Sequence, residues 1–235
     1  MKTMRVLAGL LALAAAQCAW AGVFSVTPVR IYMMPKDRAV AVTIVNEADE
    51  PVALQADVYE WKQGADGADE LVPSEDLILA PPIIKLAAKA KQVVRLARLT
   101  PPDASRQLTY RLILRELPEA SLSKGITVPV ALALSMPVFI TPPNAKQRTA
   151  CEAAREQGTL VVYCTNSGNA YAQVREVLVN QNGQNVARFE GGAYILPGAR
   201  RRLALNADQP VPAGAVQLVV TYDDGSSQTF DLAPL

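Results

Sequence analysis

Histidine is absent from all 235 residues of the chain. Without it no Ser–His or Cys–His pair can activate a nucleophile. Acid–base work would rest on Asp, Glu, Lys or Tyr, and no paired carboxylates, glycine-rich phosphate loop or nucleophile elbow stand in a recognisable setting. Cysteine is scarce: Cys18, Cys151 and Cys164 are all there are, and two or three cysteines without histidine do not make a zinc set. Charge is balanced, 23 Lys and Arg against 22 Asp and Glu, which gives no electrostatic reason to expect nucleic acid as a partner. Beyond the first residues no apolar run reaches ~18, so no stable membrane insertion is expected. No cofactor or metal is called for, and an enzyme is not expected.

What is present begins with a leader. In "MKTMRVLAGLLALAAAQCAWAGVF" Lys2 and Arg5 form a basic start, Val6 to Ala16 an apolar stretch, and Ala19-Trp20-Ala21 a cleavage pattern. Residues 1–21 therefore read as a secretory signal peptide. Gln17 before Cys18 does not fit a lipoprotein signal. Cleavage leaves about 214 residues, enough for one large all-β domain or two of ~100. In an exported protein the pair Cys151 and Cys164 is most simply a disulfide across a hairpin turning near Gly158, the alternative being two free buried thiols.

Strand patterns dominate the rest. Val40, Val42 and Ile44 alternate, as do Val52, Leu54, Ala56 and Val58, and again Leu108, Tyr110, Leu112 and Leu114. "NQNGQN" and "YDDGSS" carry hairpin signals. "TPPNAKQR", 141–148, reads as a linker. Short strands in two blocks predict two immunoglobulin-type β-sandwiches, over 22–142 and 143–235.

One segment is too long for its block. In "ITVPVALALSMPVFI" (126–140) every even residue is large and apolar, and Pro129 and Pro137 are both odd. Successive strand N–H groups point to opposite edges, so both missing donors lie on one edge, where proline is tolerated. The eight apolar side chains span roughly 45–50 Å at ~3.3 Å per residue, deeper than ordinary strands of ~17–20 Å. Part of this face is expected to project beyond its own core, unless the segment bends at Pro137 into two core strands. An exposed apolar edge is an aggregation hazard unless something binds it.

"SVTPVRI", "PPIIKLAAKAKQVVRL", "YRLILRELP" and the long strand ending "PVFITPP" together resemble the periplasmic chaperones of the chaperone–usher pathway, which assemble pili. The resemblance runs from about Phe24 to the C-terminus. It implies an all-β fold: two immunoglobulin-like domains set at an angle, with a cleft between them. It implies pilus or fimbrial subunits and an outer-membrane usher as partners, a periplasmic location, and donor-strand complementation, in which the long strand completes a subunit's unfinished sandwich. The inserted residues would be Ile126, Val128, Val130, Leu132 and Leu134. The free protein could hide that strand in a self-capping oligomer.

The resemblance also assigns a cleft. The arginine that anchors the subunit's C-terminal carboxylate matches Arg30, and an Arg suits a bidentate carboxylate. The family's second cation, a lysine, falls on Pro137, and Arg111 in the preceding strand is the expected substitute. Of the family's Glu–Arg–Asp interdomain network, Glu116 and Asp223 match, with Thr141 where the Arg belongs. These departures suggest a divergent branch. The alternative is a structural pilus subunit or surface adhesin of the same immunoglobulin-like fold, which would normally carry an N-terminal donor extension.

Overall fold

The computed structural model describes residues 24–117 and 131–233. Among them every regular element is a strand. The first ten are β1 (Phe24–Thr27), β2 (Ile31–Met33), β3 (Ala39–Asn46), β4 (Val52–Gln63), β5 (Asp69–Pro73), β6 (Leu77–Ala80), β7 (Ile83–Leu86), β8 (Lys91–Arg98), β9 (Leu108–Glu116) and β10 (Ala133–Ile140). They build one sheet in the order β1-β3-β8-β6 and a second in the order β2-β10-β9-β4-β5, with β7 also paired to β4. The period-2 patterns decide which side chains meet between them. Val42 and Ile44 of β3, Leu112 and Leu114 of β9, and Met136, Val138 and Ile140 of β10 all point into one core.

The chain then makes a second sandwich from β11 (Thr149–Glu156), β12 (Thr159–Asn166), β13 (Ala172–Gln181), β14 (Gln184–Ile195), β15 (Arg200–Ala204), β16 (Val216–Tyr222) and β17 (Ser227–Leu232). Its sheets run β11-β12-β15 and β14-β13-β16-β17. Ala150–Arg155, weakly helical by composition, is strand because alternate residues face the core opposite β12. Cys151 and Cys164 are cross-strand neighbours in that hairpin and are joined by a disulfide buried in the second core. The hairpin turns on Gln157 and Gly158, both at positive φ, and β13–β14 turns on Asn182 and Gly183 in the same way, as the Asn-Gly pair predicts.

Each sandwich closes one strand end with a buried asparagine. Asn46 Nδ2 donates to the carbonyls of Glu50 (2.8 Å) and Ala87 (2.9 Å). Asn166 Nδ2 donates to those of Ala170 (2.7 Å) and Ile195 (3.0 Å). Both are wholly buried, so the amides satisfy backbone acceptors that would otherwise be stranded.

A third, smaller cluster of Trp61, Phe139 and Leu196, flanked by Tyr171 and Tyr194, lies where the two sandwiches meet. Phe139 follows the odd parity of β10. It therefore leaves the first core to its even neighbours and stacks on Tyr171 of the second sandwich at 4.2 Å. Trp61 belongs to this junction.

Candidate functional site

The parity of the long strand settles which edge is open. The carbonyl of Leu132 accepts from the amide of Glu116 at 2.9 Å, whereas the amide of Thr141 donates to Met33 at 2.9 Å. Even residues therefore bond β9, and odd residues face the other edge. On that edge β2 pairs in parallel only with Val138–Ile140. Upstream, Ala133, Ser135 and Pro137 have no strand beside them among the described residues. Pro137 stands at the junction, where its missing donor leaves no N–H dangling between β2 and whatever strand comes next.

Burial fades along the apolar face. Ile140, Val138 and Met136 are buried, Leu134 is half-buried against the first core, and Leu132 is 39 % exposed. The row thus runs out of its own sandwich as the upstream edge opens. Ile126, Val128 and Val130 lie outside the described residues.

Arg30, in the short connection between β1 and β2, crosses to the second sandwich. Its Nη1 donates to Asp223 Oδ2 at 2.6 Å, to the Tyr171 hydroxyl at 3.0 Å and to the Tyr32 hydroxyl at 3.3 Å. Its Nη2 donates to Gln173 Oε1 at 2.5 Å. Burial alone would push this guanidinium down, but the hydrogen bonds to Tyr32 and Asp223 more than offset it and hold it above its ordinary value. Burial pushes the Tyr171 hydroxyl up, and its bond to Tyr32 adds to that.

Arg111 differs. In the β9–β10 register it sits directly opposite Pro137, and cross-strand neighbours share a face of the sheet. Its guanidinium lies 3.7 Å from the Trp61 ring centroid, a cation–π contact. It makes no ion pair or hydrogen bond among the described residues, and burial pushes it below its ordinary value. Asp69, which acts on it through space, is already paired with Arg201 at 3.0 Å. Arg30 and Arg111 flank one ring, Tyr194, at 5.5 and 5.6 Å from its centroid. The cleft therefore carries one matched guanidinium and one unmatched one.

The expectation that Glu116 and Asp223 both serve an interdomain ion network is corrected for Glu116 by this geometry. Glu116 ends β9 at the far side from the second sandwich, about 27 Å from Leu108 at ~3.4 Å per residue, and its carboxylate accepts from the amide of Leu132 at 3.3 Å. Asp223 is at the junction, but its cation is Arg30. Thr141 has no ionic role: its hydroxyl accepts from Gln107 Nε2 at 2.8 Å. Gln107 Oε1 in turn accepts from the Tyr171 amide at 2.9 Å, and the Gln107 amide donates to Asn169 at 2.8 Å. Gln63 mimics a strand partner, accepting from the Leu196 amide and donating to the Tyr194 carbonyl, both at 2.9 Å. Two glutamines and an aromatic cluster thus join the sandwiches. Sequence reading missed both glutamines, since a lone amide shows no periodicity.

The family model for pili and flagellar-assembly chaperones, PapD N-terminal domain, matches residues 23–146. The chain belongs to that family. A search of curated protein sequences found no match. Among solved structures, the chain is similar to a chain of the CsuC–CsuE chaperone–tip adhesion subunit pre-assembly complex of archaic chaperone–usher Csu pili from Acinetobacter baumannii. That match has 20 % identity and TM-score 0.65, covering 89 % of this chain and 98 % of that one. It is also similar to the E. coli chaperone DraB, at 20 % identity and TM-score 0.57 over 89 % and 98 %. A chain of the Salmonella enterica SafA pilin–SafB chaperone complex matches at 15 % identity and TM-score 0.60 over 93 % and 98 %. These likenesses establish the fold: two immunoglobulin-like sandwiches.

Proposed function

We propose that this chaperone holds pilus subunits in the periplasm by donor-strand complementation and passes them to an outer-membrane usher. The observation that carries the reading is the coincidence on β10 of an edge with no strand beside it among the described residues and an apolar row that leaves its own core. A subunit lacking one strand would pair with the odd edge and receive the even side chains Ile126, Val128, Val130, Leu132 and Leu134. Burying four or five such side chains contributes a gross stabilisation on the order of 10 kcal/mol, offset by ordering and desolvation.

Arg30 and Arg111 are the anchor for the subunit's terminal carboxylate. Arg111 brings the unmatched charge, and Arg30 the fixed position. Residues 1–21 are the export signal, 22–142 the donor-strand domain and 143–235 the second domain, with Asp223 as its ionic tie to the first. The role is non-enzymatic. A second copy of the chain is the natural cap for the open edge when no subunit is bound.

The test is co-expression with pilus subunits, followed by co-purification. Leu132→Asp abolishes the complex and leaves the free protein's melting temperature unchanged, because Leu132 is already exposed at the margin of the core. A variant that melts early shows instead that Leu132 belongs to the protein's own core and overturns the donor-strand assignment.

A further inference from the structure

Arg30 is assigned to capture a carboxylate, yet it already holds one. The Asp223 carboxylate bonds Nη1 at 2.6 Å. It is fixed there from two sides: its own backbone amide donates to Gln173 at 3.0 Å, and the Tyr171 hydroxyl donates to its Oδ2 at 3.3 Å. Tyr32 and Tyr171 also accept from Nη1 and Gln173 from Nη2, and the Tyr194 side chain bonds the same guanidinium. A planar fork accepts a carboxylate through two parallel N–H donors. Every such pair on Arg30 includes a nitrogen already in use.

We propose that Asp223 is a built-in competitor for the subunit's terminal carboxylate, so that capture at Arg30 loosens the ion pair that ties the second domain to the first. The idea rests on the anchor reading above. Charge supports it. With Asp69 paired to Arg201, Arg30, Arg111 and Asp223 leave the described cleft one positive charge in excess, and an incoming carboxylate neutralises it but must settle beside Asp223. Like charges sharing one cation in a partly buried site repel more strongly than in water. Affinity for the subunit is thereby kept below what two arginines alone would give, and a bound chaperone is left with a weakened cross-cleft tie. Both suit a protein that must surrender its cargo.

The probe is an acetylated hexapeptide of alternating Thr and Val, prepared as the free acid and as the amide. Binding to the full chain is followed by fluorescence of Trp61, whose ring underlies Arg111. The wild type prefers the acid, and Asp223→Asn raises the acid-to-amide affinity ratio at least about tenfold, a change worth ~1.4 kcal/mol. The amide corrects for any general loosening caused by the substitution. An acid preference that is unchanged or reduced in Asp223→Asn overturns the competitor role while leaving the anchor intact. Equal binding of acid and amide to the wild type overturns the anchor itself. Should Asp223→Asn fold poorly, the wild type still decides. The distance between spin labels on the outer faces of the two sandwiches shifts with saturating acid and not with amide; no shift with either refutes the coupling.

Discussion

Phe139→Ala tests how the two sandwiches are joined. Phe139 is wholly buried, but none of that burial serves the first core, which takes Met136, Val138 and Ile140 from the same strand. Its ring stacks on Tyr171 at 4.2 Å and lies 5.7 Å from Tyr32, 6.2 Å from Trp61 and 6.1 Å from Tyr194. Truncating a buried Phe to Ala costs about 3–5 kcal/mol. Here that loss falls on docking between the sandwiches, lowering the docking equilibrium by about two to three and a half powers of ten at ~1.4 kcal/mol each. Each sandwich keeps its own core, so each stays folded. Calorimetry is the assay. The wild type melts in one coupled transition, and the variant in two, with the second sandwich and its disulfide melting apart from the first. A single transition at the wild-type temperature would refute the assignment of Phe139 to the junction.

Two further predictions concern Arg111 and the buried tyrosines. Arg111→Met keeps the Trp61 ring covered and removes a half-buried charge that makes no ion pair among the described residues, so the melting temperature holds or rises while preference for a free-acid peptide collapses; a retained preference in peptide titration contradicts the second-anchor role. Burial raises Tyr110, Tyr171 and Tyr222 above the ordinary tyrosine value of about 10. The folded protein therefore keeps protons that the unfolded chain releases, and stability falls as pH rises past that value. Urea midpoints between pH 9 and 11.5 should decline, less steeply in Tyr171→Phe, and a flat profile would show that these hydroxyls ionise as freely in the folded state.

The strands were legible because half-buried β-structure has a period of two, and that period recurs in Val40–Ile44, Val52–Val58 and Leu108–Leu114. Pro129 and Pro137 announced that one edge of the long strand was special; only the bond from Glu116 to Leu132 showed that the special edge is the one turned away from β9. That Arg111 lies opposite Pro137 follows from the antiparallel register of β9 and β10. Glu116 was misplaced for a physical reason. Position along a sequence does not say which end of a strand meets a second domain, and β9 enters at the junction with Gln107 and leaves it by Glu116. Gln63 and Gln107 gave no signal, since a single amide bridging two distant backbone segments depends on contacts more than 60 residues apart in sequence.

Hydrogen exchange of the chaperone alone and bound to a pilus subunit tests the donor-strand account most directly. Amides of residues 126–135, above all the odd-numbered Ala131, Ala133 and Ser135, should gain protection on binding, while those of β9 stay as they were. Protection that appears elsewhere and leaves 126–135 unchanged would contradict the claim that this strand is lent to a partner.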